Sequence, residues 1–200
     1  MTLGVGEMKF QVIVSDPPWQ FNDKLKMSAT KRGAESNYSV LSLEKLCELD
    51  IESITDDNAF CCIWVPNVLI EDGLKVLKAW NFEYKGLYGW GKVSSRSGKV
   101  HFGMGHYFRS SFEIALFGKR GKSQVDNKSQ RNIEIDNFDI DDPQKHSKKT
   151  EKLQDSLDLM FPNANKLELF ARRKRENWEC VGLECNEEDV FDSIKRLQQK

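Results

Sequence analysis

The chain has 200 residues, of which 39% are hydrophobic and 30% charged, and its formal net charge is −1. That length supports one substantial core, and a single domain over residues 1–200 is expected. The near-neutral balance excludes a global attraction to nucleic acid or membrane, so such a partner must be met by a local basic patch.

The first apolar run, FQVIV (10–14), reads as a buried strand and ends at SDPPW (15–19). SLEKLCEL (42–49) reads as a helix with Ser42 as N-cap and Leu43, Leu46 and Leu49 on one face. AFCCIWV (59–65) is a second strand. With its continuation to residue 70 it is too short to cross a bilayer, and it contains a proline. Residues 68–80 place Ile70, Leu74 and Leu77 at helical spacing. YKGLYGW (84–90) and SFEIALF (111–117) read as strands. Leu153, Leu157 and Met160 mark a helix over 150–160, followed by strands KLELFA (166–171) and NWECVGL (177–183). The C-terminal stretch predicts a helix capped by Asn186, with Val190, Ile194 and Leu197 facing the core and basic residues near its end. Alternation of strands and helices predicts an α/β fold, a mainly parallel sheet covered on both sides.

Two polar segments, 20–38 and 118–147, read as long functional loops or as disorder, the second passing from basic to acidic and reading equally as a solvated face. The five cysteines include the adjacent pair Cys61-Cys62, form no CxxC pair and have no neighbouring histidine. They read as reduced, mostly buried thiols of a cytosolic protein rather than as zinc ligands, and no metal site is expected. The N-terminus lacks a charged-then-apolar signal pattern.

Chemistry concentrates at Asp16-Pro17-Pro18-Trp19. Two prolines end a central strand because neither donates to the ladder, and they keep the exit extended and stiff. In open α/β sheets, ligands bind beyond the carboxyl ends of the strands. There the Asp16 carboxylate and the Pro17 carbonyl form two acceptors, with Trp19 as a flat wall. Two acceptors beside an aromatic suit the NH₂ of a nucleobase. They favour the pyramidal amine that attacks an electrophile, and a preplaced anion meets its developing positive charge. A target within a duplex must be flipped out, and Trp19 is placed to stack on it. The bland alternative is a rigid strand exit with Asp16 capping a nearby group.

Asp-Pro-Pro-Trp after an apolar strand resembles the MT-A70 family of adenine-N6 methyltransferases. The likeness continues in order through NYSVLSLEKLCEL (37–49), FCCIWVPN (60–67), YGWGK (88–92), GMGHYFRSSFEIALFGKRG (103–121), HSKKTEKLQDSLDLMFPNANKLELFARR (146–173) and NWECVGLE (177–184). The resemblance implies a Rossmann-like class I methyltransferase fold with permuted motif order, the catalytic motif near the N-terminus and the cofactor motif near the C-terminus. It implies Asp16, Pro17, Pro18 and Trp19 as the catalytic loop, and Tyr38 and Trp90 as lining of the adenine pocket. Asp16, Lys149, Glu168, Phe170, Arg172 and Glu184 would surround S-adenosylmethionine. Loops 20–38 and 91–108 would recognise the target, and 118–147 would be mobile or bind substrate. The chain departs from the family pattern at Thr150 (proline in the family), at Leu183 (asparagine), and at Lys174-Arg175, where some relatives carry His-Asn.

The activity expected is N6-methylation of adenine in DNA, since the compact chain resembles bacterial and phage relatives, in the cytoplasm of a bacterial or phage-infected cell. RNA is the alternative substrate, and a catalytically silent nucleic-acid-binding subunit is the alternative of another class. Cytosine-N4 methylation shares the two-acceptor logic but more often resembles Ser-Pro-Pro-Tyr. No membrane partner is expected, and both a monomer and a homodimer are compatible with the sequence. Arg109 reads equally as a phosphate contact or a carboxylate partner. Glu113 reads as an inward polar residue or an exposed strand position. ARRKRENW (171–178) leans towards phosphate or cofactor duty.

Overall fold

A computed structural model describes residues 9–20, 40–95, 97–103, 107–138 and 149–199. The described residues form one seven-stranded sheet in the order β5-β3-β4-β2-β1-β6-β7. Its strands are β1 (Phe10–Ser15), β2 (Thr55–Val65), β3 (Glu83–Ser94), β4 (Phe112–Arg120), β5 (Ile133–Phe138), β6 (Lys166–Leu169) and β7 (Trp178–Val181). The helices are α1 (Leu43–Cys47), α2 (Ile51–Ile54), α3 (Ile70–Ala79), α4 (Lys152–Met160), α5 (Leu183–Asn186) and α6 (Val190–Leu197). Strand β4 runs antiparallel to both β2 and β3, and the other pairings are parallel. The mainly parallel sheet is therefore present, with one reversed strand inside it. The last strands in sequence, β6 and β7, lie beside the first strand β1, the Rossmann-like arrangement expected.

Side-chain alternation sorts the core into two layers. Ile13, Ile63, Leu116, Leu167 and Leu169 pack with residues of α1, α2, α3 and α6 on one face. Val12, Val14, Cys62, Trp64, Tyr88, Trp90 and Ala115 pack with Leu153 and Leu157 of α4 on the other. A register shift between Phe10 and Val12 breaks the alternation, and Phe10 joins the first layer.

Four sequence expectations need correction. The segment 118–147 is not all loop: residues 133–138 form β5, which pairs with the carboxyl-terminal half of β3. Helix α6 is capped by Asp189, whose side chain accepts from Phe191 N at 2.8 Å, while Asn186 closes the short α5. Ile70 is exposed at the start of α3, and the face that docks carries Gly73, Val76 and Leu77. The thiols divide: Cys61 and Cys62 are buried, whereas Cys47, Cys180 and Cys185 are half-buried. Among the described residues no helix is long and apolar enough to cross a membrane.

Candidate active site

β1 ends at Ser15, and the prolines that follow turn the chain out of the sheet beside the carboxyl ends of its parallel neighbours. The exit is pinned on both sides. Asp16 N donates to Leu169 O (3.5 Å), Trp19 N to Pro17 O (2.9 Å) and Leu41 N to Pro18 O (2.8 Å). The Pro17 carbonyl thus already accepts one bond and keeps a second lone pair.

Trp19 does not form the expected wall. Its ring is 5% exposed within the first core layer, and its Nε1 donates to Trp64 O at 2.8 Å. The indole anchors the turn from below instead of facing a base.

The α4 face of the sheet gathers the charges. Asp16 continues the phase of Val12 and Val14, so its carboxylate emerges on the same side as Trp64 and Trp90. Lys149, just before α4, reaches across this edge. Its Nζ lies 3.3 Å from Asp16 Oδ1 and 3.1 Å from Glu113 Oε2, and 5.9 Å from the centre of the Trp64 ring. Lys92 of β3 pairs with Glu113 as well, and its Nζ sits 4.3 Å over the Trp90 ring. The result is an alternating chain, Asp16–Lys149–Glu113–Lys92, laid over a floor of two edge-packed tryptophans 6.2 Å apart.

This arrangement resolves the two readings of Glu113 in favour of the inward one. In β4 it is in phase with Ala115 of the α4 layer, and it lies opposite Trp90 in the β3–β4 register. Trp90 is where the pocket was expected, although its ring is only 4% exposed and its Nε1 has no hydrogen-bond partner. Tyr38 lies outside the described residues, as do His106 and almost all of the 20–38 loop. Arg109 is exposed on the β3–β4 connection.

The electrostatics follow from the geometry. Burial pushes the Asp16 carboxyl above the ordinary aspartate range, against the opposing pull of Lys149 and Arg172. Burial acts on Glu113 in the same sense, but Lys149 and Lys92 outweigh it and hold Glu113 below its ordinary value. For Lys149, burial disfavours the charge, yet Asp16 and Glu113 prevail and keep the ammonium protonated. The Asp16 side chain remains 24% exposed, so a ligand can still reach it.

Thr150, which stands where the family has proline, explains how Lys149 is held. Its hydroxyl donates to Asp136 of β5 at 2.6 Å and accepts from Lys152 N at 3.2 Å, fixing the start of α4 to the sheet. No other side chain caps α4.

The carboxyl ends of β6 and β7 build the neighbouring half of the site. Val14 pairs with Glu168, placing the Glu168 carboxylate on the α4 face beside Asp16. Gln154 of α4 donates to Glu168 Oε1 at 3.1 Å, while its own carbonyl oxygen is buried without a partner. Burial raises Glu168 above the ordinary glutamate range, partly offset by the Gln154 bond. Phe170 takes a left-handed backbone (φ 59°), which turns its ring towards the first core layer. Arg172 Nε lies 3.6 Å from Glu184 Oε1. At Gly182 a Cβ would meet Ala171 O at 2.4 Å, so the β6 and β7 ends approach more closely than any other residue allows.

The basic run after β6 is largely committed within the chain. Arg173 pairs with Glu151, and Arg175 binds Asp155 (2.7 Å) and Asp158 (2.8 Å) of α4. These pairs staple α4 to the loop after β6, and correct the leaning towards phosphate duty for those two arginines.

Comparison with known proteins identifies the family. The MT-A70 family model matches residues 10–184. The type II methyltransferase M.MunI of Mycoplasma is 30% identical over 197 residues, covering 91% of this chain and 80% of that protein. An N(6)-adenosine-methyltransferase MT-A70-like protein of Arabidopsis thaliana is 26% identical over 88% of this chain, and the human N(6)-adenosine-methyltransferase catalytic subunit METTL3 is 24% identical over 96%. This chain spans only 24% and 31% of the length of those two plant and human relatives. A family match over most of the chain, together with a relative aligned nearly end to end, establishes that the protein belongs to the MT-A70 family of N6-adenine methyltransferases.

Proposed function

We propose that this protein transfers a methyl group from S-adenosylmethionine to the N6 amine of adenine in DNA. The observation that carries the reading is the Asp16 carboxylate, reachable at the carboxyl edge of β1 next to a Pro17 carbonyl with one lone pair to spare. The adenine NH₂ donates one bond to each acceptor, which localises the nitrogen lone pair for attack. As the nitrogen–methyl bond forms and the methyl–sulfur bond breaks, its electron pair staying on a neutral thioether, the nitrogen becomes cationic and then loses a proton. Asp16, its basicity raised by burial, is the group placed to stabilise that charge and take the proton.

Bound S-adenosylmethionine supplies the electrophilic methyl. The residues present fit it. Glu168, a buried carboxylate at the end of β6, suits the ribose hydroxyls, and Lys149 and Arg172 suit the amino-acid carboxylate. Phe170 and Glu184 complete this half from the β6 and α5 ends, and Trp90 stands on the adenine side. Pro18 contributes by anchoring the loop to Leu41, and Trp19 by anchoring it to Trp64.

DNA is preferred to RNA on the comparison with M.MunI, which this chain matches over 80% of its length, whereas it corresponds to about a quarter or a third of the adenosine-modifying relatives. The test is transfer of labelled methyl to matched DNA and RNA by the wild type and by Asp16→Ala. Loss of about a hundredfold or more on DNA in the variant, with unchanged melting, is expected from removal of a preplaced charge. Undiminished transfer would refute the role of Asp16, and a wild type active on RNA alone would refute the substrate.

A further inference from the structure

β3 runs parallel to β1, so the connection from β3 to β4 leaves the sheet at the same edge as Asp16. It leaves the sheet two residues after Lys92 and re-enters it one residue before Glu113, the members of the charge chain that β3 and β4 supply. Backbone bonds from His101 N to Lys92 O (2.7 Å) and from Gly103 N to Ser110 O (2.7 Å) fold it back twice at that edge.

It is rich in exposed aromatic rings. Tyr107 is 96% and Phe108 90% exposed, and Phe102 and Phe112 are more than half exposed. Exposed aromatic surface of this kind marks an interaction site. The stretch from Lys92 to Phe112 also contains no Asp or Glu, although the chain has 31 of them, while it carries Arg96, Lys99 and Arg109. Aromatic rings in a stretch that carries cations and no acid of its own match a polyanion whose interior is made of stacked bases.

We propose that Tyr107 and Phe108 form a wedge that enters duplex DNA as the target adenine is extruded towards Asp16, filling the gap in the stack. The inference rests on the DNA reading above and adds a double-strand function to it. Extrusion costs the stacking of the departing base, and apolar side chains inserted at the vacated step offset that cost. A target that is already unpaired or single-stranded does not incur it. The wedge therefore matters for duplexes and not for open strands.

The experiment compares the wild type, Tyr107→Ala/Phe108→Ala and Phe108→Trp in methyl transfer to a plasmid and to the same plasmid heat-denatured. It then uses oligonucleotide duplexes carrying a site mapped for the wild type, with thymine or an abasic position opposite the target. The ratio of duplex to single-strand kcat/KM within each protein cancels any difference in active fraction. For the double alanine variant that ratio is expected to fall about tenfold or more, with recovery when the partner base is abasic and near-normal behaviour for Phe108→Trp. An unchanged ratio, whether both activities fall together or neither falls, overturns the wedge. A wild type confined to single-stranded DNA overturns it while leaving the DNA reading intact. A wild type inactive on every DNA removes that reading, and the wedge with it.

Discussion

The ammonium of Lys149 stands 3.3 Å from the carboxylate of Asp16, although the two residues lie on opposite sides of most of the chain. The same ammonium touches Glu113, so it holds together the edges of β1 and β4 across the intervening β2. A buried charge needs such partners, since a lone one is strongly disfavoured by loss of water.

Replacing Lys149 by Met removes a cation that favours the ionised form of Asp16. Burial already raises that carboxyl, and without the cation it rises further. The acid limb of the pH–rate profile, measured at saturating cofactor, should therefore move to higher pH in Lys149→Met. A limb that stays in place would show that Asp16 ionisation does not govern the rate.

Glu113 carries a stability signature of the opposite kind. Its folded pKa is depressed, so its contribution is present above the unfolded value and is lost as pH falls through the folded one. Its side chain is about one-third exposed, which screens the effect. Glu113→Gln should lower the melting temperature by about 2–4 °C at neutral pH, and the gap to wild type should close in acid. Melting curves across pH test this, and a gap that widens in acid contradicts the assignment.

Trp19→Phe keeps a buried ring but deletes the bond to the Trp64 carbonyl. Leaving that buried acceptor unpaired should cost about 1–3 kcal/mol in denaturant unfolding. Because Trp19 belongs to the core, DNA affinity of the folded variant should be unchanged. A large loss of affinity with unaltered stability would return Trp19 to the binding surface.

Gly182→Ala places a Cβ against the Ala171 carbonyl, so the β6 and β7 ends must separate. The strain should amount to about 1–3 kcal/mol, accompanied by weaker binding of S-adenosylmethionine in calorimetry. Wild-type affinity in the variant would place the cofactor elsewhere.

How much of this was legible differs element by element. Strands β1, β2, β3, β4, β6 and β7 stand out as apolar runs between turn residues, because burial imposes hydrophobicity on each separately. β5 is hidden. It is an edge strand with Ile133 and Ile135 exposed, Glu134 between them and Asp136 after, so its pattern matches that of a solvated loop. The cap of α6 was misread because Asn186 and Asp189 both precede acidic, helix-starting residues, and only the packing of α5 on β7 decides between them.

Local chemistry in the sequence is enough to mark the break at Asp16-Pro17-Pro18, because proline ends a ladder wherever it occurs. It likewise determined the alternation of strand and helix and, through shared motifs, the family. What only the tertiary structure decided is who meets whom. Lys149 lies on Asp16 rather than beside a distant ligand group alone, Glu113 turns inward, and Trp19 sinks into the core. Those outcomes depend on strand order, and on which face each residue's phase presents once β4 is inserted between β2 and β3. Neither property is local, since each is set by pairing between segments far apart in the chain.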